Sequence, residues 1–214
     1  KGPMGLITYM RTDSPRLAPE AIFAAKKFIV ENYGQEYSHL RNFKCKRKGS
    51  QEAHEAIRPT HIDYDPEFVA EYLDRDLTRL YGLIWRRFMA SQAAPAVIRH
   101  KSAEFEYEGA LFRAVEKRIK FDGFLKILPR KNVETGNELP EFKKGEKIVP
   151  KQIVSEEKET EPPSRYSEGS LVRELEAKGI GRPSTYAQII RTIIARGYVK
   201  KQRGVLIPTE IGKQ

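Results

Sequence analysis

The apolar positions of this chain change period along its length, and each change marks a different kind of element. From residue 19 to 33 the side chains Ile22, Ala25, Ile29 and Tyr33 recur at helical spacing. Ala18-Pro19-Glu20 opens that run with an early proline and an acid in the first turn, and Gly34 stops it. Over residues 63–90 the same period predicts two helices. Asp65-Pro66 caps the first, and Leu77, Leu80, Tyr81, Ile84, Trp85 and Phe88 stripe the second. From Ile98 to about Val154 the period falls to two: Phe105 and Tyr107 alternate with Glu104, Glu106 and Glu108. Further short strands are predicted at 110–119, 124–128 and 147–154, with 131–138 and its Gly136-Asn137 as a loose hairpin loop.

Residues 156–165 are charged and contain Pro162-Pro163, which marks a crossing between domains. Helical spacing then returns. Leu171, Leu175 and Lys178 sit on neighbouring turns before Gly179, Ser184 is placed to cap a second helix running to Arg196, and Gly197 ends it. Residues 198–201 and 205–208 read as a hairpin around Gln202-Arg203-Gly204. Helix, turn, helix and hairpin in that order suggest a winged-helix unit, for which DNA contact is natural; a helical pair packed inside a larger domain is the plainer alternative. The fold class is therefore α+β and multidomain, with a mainly helical domain at 1–95, an antiparallel β scaffold at 96–165, and the start of a helix-turn-helix-like domain at 166–214.

Composition narrows the partner. The 214 residues carry 39 Lys plus Arg against 29 Asp plus Glu, a formal net charge of +10 and a pI near 9.6, which favours a polyanion and most simply nucleic acid. No apolar run approaches the roughly 20 residues of a membrane span, and the start KGPMG is neither a signal nor a transit peptide, so a soluble protein is expected. Cys45 is the only cysteine, which excludes a disulfide framework or a thiolate zinc site and fits a cytosolic origin.

The chemistry is concentrated near the N-terminus. Residues 5–10 form a short, β-branched, apolar run that reads as a strand entering a turn at Ser14-Pro15. Alternation puts Ile7, Tyr9 and Arg11 on one face, with Tyr9 and Arg11 roughly 6 to 7 Å apart along the strand. A phenol with a pKa of about 10 is a poor nucleophile at neutral pH. A guanidinium beside it lowers that pKa, and its fork also grips the oxygens of a phosphodiester under attack. Packing plus a solvated charge is the plainer reading of such a pair. In Gln51–Thr60 a helical turn would place His54 and Arg58 on one face, both able to donate to a phosphate. Arg41, Lys44, Lys46, Arg47 and Lys48 around Phe43 form a basic loop that would suit a nucleic-acid backbone or plain solvation. Asp74-Arg75-Asp76 follows a helical run without a third acid and is not read as a magnesium site.

Three runs carry a family resemblance: GLITYMRTDS at 5–14, QEAHEAIRPT at 51–60, and RYSEGSLVRELEAKGIGRPSTYAQIIRTIIARGYV followed by IPTEIG. Together they resemble the type IA topoisomerases, and Met10 before Arg11 favours the bacterial topoisomerase I branch over the topoisomerase III and reverse gyrase branches. LYGLIWRRFMASQ fits as well. The resemblance implies that Tyr9 is the nucleophile that cleaves and religates single-stranded DNA through a 5′-phosphotyrosyl bond, relaxing negative supercoils without ATP. Arg11 and His54 would complete the catalytic set, and Arg11, Asp13, Arg58, Arg182, Ser184 and Thr185 would contact DNA. It further implies that the β scaffold is the arch spanning the central hole. Mg²⁺ would be held by a TOPRIM domain that nothing before Tyr9 supplies, so that this is a central fragment with no metal of its own. The expected partners are single-stranded or negatively supercoiled DNA and the rest of the same polypeptide, for a cytoplasmic, nucleoid-associated monomer without membrane contact. A non-catalytic single-stranded DNA-binding module and a reverse-gyrase fragment are the alternatives.

Overall fold

A computed structural model describes residues 4–43, 54–131 and 133–213, in two compact units, Lys1–Ile148 and Val149–Gln214. Cys45 and the basic residues Lys44, Lys46, Arg47 and Lys48 lie outside the described residues.

The core of the first unit lies between α1 (Pro19–Tyr33), α2 (Pro66–Ala70) and α3 (Arg75–Ser91). Ala21, Ile22, Ala25 and Ile29 of α1 meet Tyr81, Trp85, Phe88 and Met89 of α3, joined by Ile62, Val69, Ala93 and Ile127. Burying each large side chain of this set contributes about 1.5–3 kcal/mol, which outweighs the modest propensity of the short helices. Polar atoms inside are satisfied: the Trp85 indole donates to the Ile62 carbonyl at 3.0 Å, and the Tyr81 hydroxyl donates to the Tyr64 carbonyl. Burial, with Asp65 nearby, pushes the Tyr81 phenol up to about 12. Asp65 caps α2 by accepting from the N–H groups of Glu67 and Phe68, and Asp74 caps α3 by accepting from Asp76 and Leu77. The Asp74-Arg75-Asp76 run is thus a helix start. Half of the predicted α3 stripe is buried, but Leu77 and Leu80 are about half exposed, because α1 and α2 cover only one side of the helix.

Two expected elements near the N-terminus take another form. Residues 5–10 are extended but form one bridge, Ile7 to Pro59, rather than a strand. Pro59 has no N–H, so a ladder cannot run through it. The segment expected as a helical turn around His54 and Arg58 is also extended, because its amide donors are taken by distant partners. Ala56 N–H donates to the Arg16 carbonyl, Arg58 N–H to Thr8 Oγ1 and Thr60 N–H to the Leu6 carbonyl.

The β region is a single long hairpin, β1 (Val97–Tyr107) with β2 (Ala110–Phe121), in place of four short strands. Its turn is Glu108-Gly109, both at positive φ (48° and 82°). Residues 123–126 form a 3₁₀ turn that buries Leu125 and Ile127, and 147–154 are not strand. The hairpin root is fixed by Phe124 N–H donating to the Ala94 carbonyl at 2.8 Å and by the Tyr37 hydroxyl donating to Asp122 at 2.7 Å.

A segment after the hairpin folds back along it. Thr135 bridges to Lys117, Phe142 meets Phe105 edge-on at 5.2 Å, and Lys101 binds both the Leu139 carbonyl and Glu141 at 2.7 Å. At the centre Glu116, only 1% exposed, accepts from Leu139 N–H at 2.7 Å and pairs with Arg99 at 3.2 Å and Arg118 at 3.4 Å. The Leu139 amide, aided by the two guanidinium groups, holds its carboxyl below the ordinary range against the cost of burial. A depressed carboxyl stabilises the fold above its unfolded pKa of about 4.3 and loses that contribution as pH falls through the lower folded value. The melting temperature should therefore drop more between pH 6 and pH 3 in the native chain than in Glu116→Gln; equal drops would show that Glu116 does not hold this segment.

The second unit contains α4 (Glu168–Ala177), α5 (Tyr186–Ala195), the hairpin of β3 (Val199–Gln202) and β4 (Val205–Pro208), and α6 (Glu210–Lys213). Ser167 and Ser170 form a reciprocal capping box on α4. Leu206 and Ile190 are buried, and Leu206 N–H donates to the Tyr166 carbonyl at 2.7 Å, tying the hairpin to the start of α4. The expected Ser184 cap is not made: α5 starts later, with Thr185 at the cap position and no side-chain bond to the helix amides.

Candidate active site

Tyr9 stands on an extended segment held against residues 54–60. Thr8, on the opposite face from Tyr9, is the centre of the attachment. Its hydroxyl donates to the Ala56 carbonyl at 2.7 Å and accepts from Arg58 N–H at 3.0 Å, while Thr8 N–H donates to the Arg58 carbonyl at 3.0 Å. Thr60 adds a bond to the Gly5 carbonyl at 2.7 Å, and Pro59 is fully buried between. On the far side of Tyr9 a turn is locked by Ser14 N–H donating to Thr12 Oγ1 and by Arg16 N–H donating to the buried Ser14 hydroxyl. The backbone under the tyrosine is thus fixed on both sides.

The consequence is a phenol presented to solvent beside an imidazole. Tyr9 is 51% exposed, and its ring centroid lies 5.1 Å from that of His54. Arg11 and Asp13 are exposed on the same segment, with no side-chain partner among the described residues. Arg58 is not free: its guanidinium pairs with Glu55 at 2.7 Å and bonds the Pro59 carbonyl at 3.0 Å, so it first of all secures the segment that carries His54. Two other tyrosines differ in setting: Tyr81 is buried, and the Tyr37 hydroxyl is committed to Asp122, which raises its pKa.

Sequence reasoning missed Thr8. Its pattern signal was only that it alternates with Tyr9, and its partners lie about fifty residues away. Thr8→Val keeps the shape but leaves the Ala56 carbonyl and Arg58 N–H without this partner, so a loss of about 2 kcal/mol is expected in urea unfolding, together with a shift of the His54 ring protons. Unchanged stability and unchanged ring protons would show that Thr8 is not the staple.

At the start of the basic segment, the fully buried Gln92 grips Arg41 by its backbone. Its Oε1 accepts from Arg41 N–H at 3.0 Å and its Nε2 donates to the Arg41 carbonyl at 3.1 Å. In the second unit Gly179 and Gly181 frame the turn before α5. Thr185 Oγ1 accepts from Arg182 N–H at 2.8 Å and donates to the Arg182 carbonyl at 3.1 Å, while the Arg182 guanidinium and Ser184 are exposed. Tyr9 and Arg182 belong to separate units. Among the described residues there is no group of three or more His, Cys, Asp or Glu side chains that could hold a metal.

A family model described as DNA topoisomerase matches residues 3–214, and the chain belongs to that family. Within it the similarity is to topoisomerase I. DNA topoisomerase 1 of Campylobacter jejuni is 43% identical over 213 residues, which are 99% of this chain and 30% of that protein. DNA topoisomerase 1 of Fervidobacterium islandicum is 45% identical over 221 residues, 99% of this chain and 31% of that protein. The full-length topoisomerase I structure from Thermotoga maritima superposes with a TM-score of 0.77 at 40% identity, over 98% of this chain and 34% of that one. The chain spans about a third of the length of these relatives.

Proposed function

We propose that this chain is the nucleophile-bearing portion of a type IA topoisomerase that relaxes negative supercoils. The observation that carries the reading is Tyr9, exposed on a clamped backbone with His54 against its ring. Its phenolic oxygen attacks the phosphorus of a single-stranded DNA phosphodiester. The P–O3′ bond breaks, the 3′ oxygen leaves as a hydroxyl after taking a proton, and the 5′ phosphate stays on Tyr9. The reverse attack by the 3′ hydroxyl restores the backbone after strand passage. The phosphotyrosyl bond conserves the energy of the broken one, so no ATP is consumed.

Arg11 grips the non-bridging oxygens and stabilises the charge that develops on them, an effect typically worth about 10² to 10³ in rate. His54 orients the phosphate, Asp13 borders the strand, and Arg58 holds the His54 segment. The general base, together with the TOPRIM domain and its Mg²⁺, is assigned to the remainder of the enzyme, and no step here is routed through a metal. The β1–β2 hairpin is read as part of the arch, and α4, α5 and β3–β4 as a winged-helix unit. In that unit the exposed Arg182 and Ser184 would take phosphates of the incoming strand, while Thr185, whose N–H and hydroxyl both bond to Arg182, holds the turn that presents them.

The reading is tested on the chain as it stands. Single-stranded DNA should bind weakly with an affinity that falls as salt rises, and Arg182→Ala should reduce the slope of log K against log salt by about 0.7, the value for one phosphate contact on a single strand. Supercoil relaxation by this chain alone, or binding insensitive to salt, would contradict it.

A further inference from the structure

Residues 61–76 present a surface unlike the rest of the chain. His61, Tyr64, Phe68 and Tyr72 form an unbroken ladder of rings with successive centroids 5.0, 5.0 and 5.4 Å apart, the middle pair stacked within 24°. Its inner end is firmly mounted. Tyr64 packs on the core and its carbonyl accepts from Tyr81, while Ile62 and Val69 are buried beneath. Its outer end is open, with Phe68 46% and Tyr72 70% exposed.

Rings held in a row, the middle pair stacked and the outer pairs tilted by 37° and 46°, suit a nucleobase, an apolar partner or a planar cation, and the charges around them decide which. This stretch holds Asp63, Asp65, Glu67, Glu71, Asp74 and Asp76 against Arg75 alone, in a chain of net charge +10. Asp65 and Asp74 are used as helix caps. Asp63, Glu67, Glu71 and Asp76 have no side-chain partner among the described residues, and Glu67 and Glu71 each immediately precede a ladder ring, Phe68 and Tyr72. A DNA strand stacking here would bring its phosphates against these carboxylates, which disfavours it. A guanidinium gains from both features, since it stacks on an aromatic face and its fork bonds carboxylates.

We propose that this ladder and its acidic rim form a docking surface for an arginine-rich segment of a separate protein, distinct from the DNA-handling residues around Tyr9. Arginine side chains stack on Phe68 and Tyr72 and are held at their edges by Glu67 and Glu71. An arginine is preferred over a lysine, whose compact ammonium is more strongly hydrated and does not stack.

The test titrates the 214-residue chain with a short fluorescein-labelled peptide of alternating arginine and glycine at physiological ionic strength. Phe68→Ala combined with Tyr72→Ala should weaken binding about tenfold. Tyr72→Phe should leave it unchanged. The pair Glu67→Gln and Glu71→Gln, both at exposed positions, should weaken it several-fold, and a lysine-glycine peptide should bind the native chain several-fold less tightly. Equal affinity across all variants and both peptides overturns the proposal. So does loss of single-stranded DNA binding in the Phe68/Tyr72 double variant, which would make the ladder a base-stacking platform. Concentration-dependent self-association that the double variant abolishes overturns it too, since a second copy would then be the occupant.

Discussion

Replacing Tyr9 by phenylalanine in the whole enzyme is expected to abolish covalent capture of DNA, by on the order of 10⁴-fold or more, as removal of a nucleophile typically does. Binding should change little. The phenylalanine keeps the ring that lies 5.1 Å from His54, and the hydroxyl has no hydrogen-bond partner among the described residues, so neither the fold nor the His54 contact depends on it. The backbone beneath is held by Thr8, whose bonds to Ala56 and Arg58 do not involve the Tyr9 side chain. The predicted pattern is therefore a loss confined to the chemical step: no adduct on denaturing gels, DNA affinity within about twofold, and an unchanged unfolding midpoint. Loss of affinity in parallel with loss of adduct would instead make Tyr9 a base-stacking residue.

Gly123→Ala is expected to be strongly destabilising. Gly123 sits at φ 48° where β2 turns back into the helical core, and a Cβ added there would lie 2.5 Å from the carbonyl oxygens of both Ala94 and Pro95. The left-handed conformation alone costs an alanine roughly 1–2 kcal/mol. The backbone clash adds to it, because the Ala94 carbonyl is held by Phe124 N–H and cannot easily move. A total of about 3 kcal/mol, or a melting shift on the order of 10 °C, is expected. Gly109 is the control: it has φ 82° at the hairpin tip with nothing within 4 Å of an added Cβ, so its alanine variant should cost only about 1–2 kcal/mol. Similar losses at the two positions would show that Gly123 is a matter of backbone conformation and not of the packed junction.

The elements that were legible in the sequence are those decided by neighbours in the chain. Ile22, Ala25 and Ile29 face the core of α1 as their spacing predicts, Gly34 ends that helix, and Asp65 caps α2. The hairpin of β3 and β4 falls where Arg203-Gly204 places its turn. What the sequence hid depends on partners far away. Residues 5–10 looked like a strand and 51–60 like a helical turn, but within the described 54–60 the amides of Ala56, Arg58 and Thr60 are spent on Arg16, Thr8 and Leu6, and Pro59 interrupts any ladder. Glu116 alternates along β2 like a solvated residue, yet it is buried by a segment that returns some twenty residues later. The run at 124–128 read as a strand, but a 3₁₀ turn forms there instead, in contact with α3 and held by the Ala94 carbonyl.

The candidate site divides in the same way. Tyr9, Arg11, His54 and Arg182 stand out through their motifs, because the chemistry they suggest is local to a few residues. The roles of Thr8, Pro59 and Gln92 were invisible, since each works by gripping backbone that is distant in sequence. Arg58 looked like a phosphate ligand, and its guanidinium is engaged with Glu55 and the Pro59 carbonyl.

The measurement that bears most directly on the central claim is covalent capture of 3′-end-labelled single-stranded DNA with Mg²⁺ by this chain, with and without the separately expressed TOPRIM-bearing portion of the enzyme. A labelled adduct that requires both the added portion and Tyr9 is the predicted result, and it would establish that the nucleophile stands here and its metal-bearing partner elsewhere. An adduct that survives Tyr9→Phe, or no adduct even with the added portion, would contradict the account.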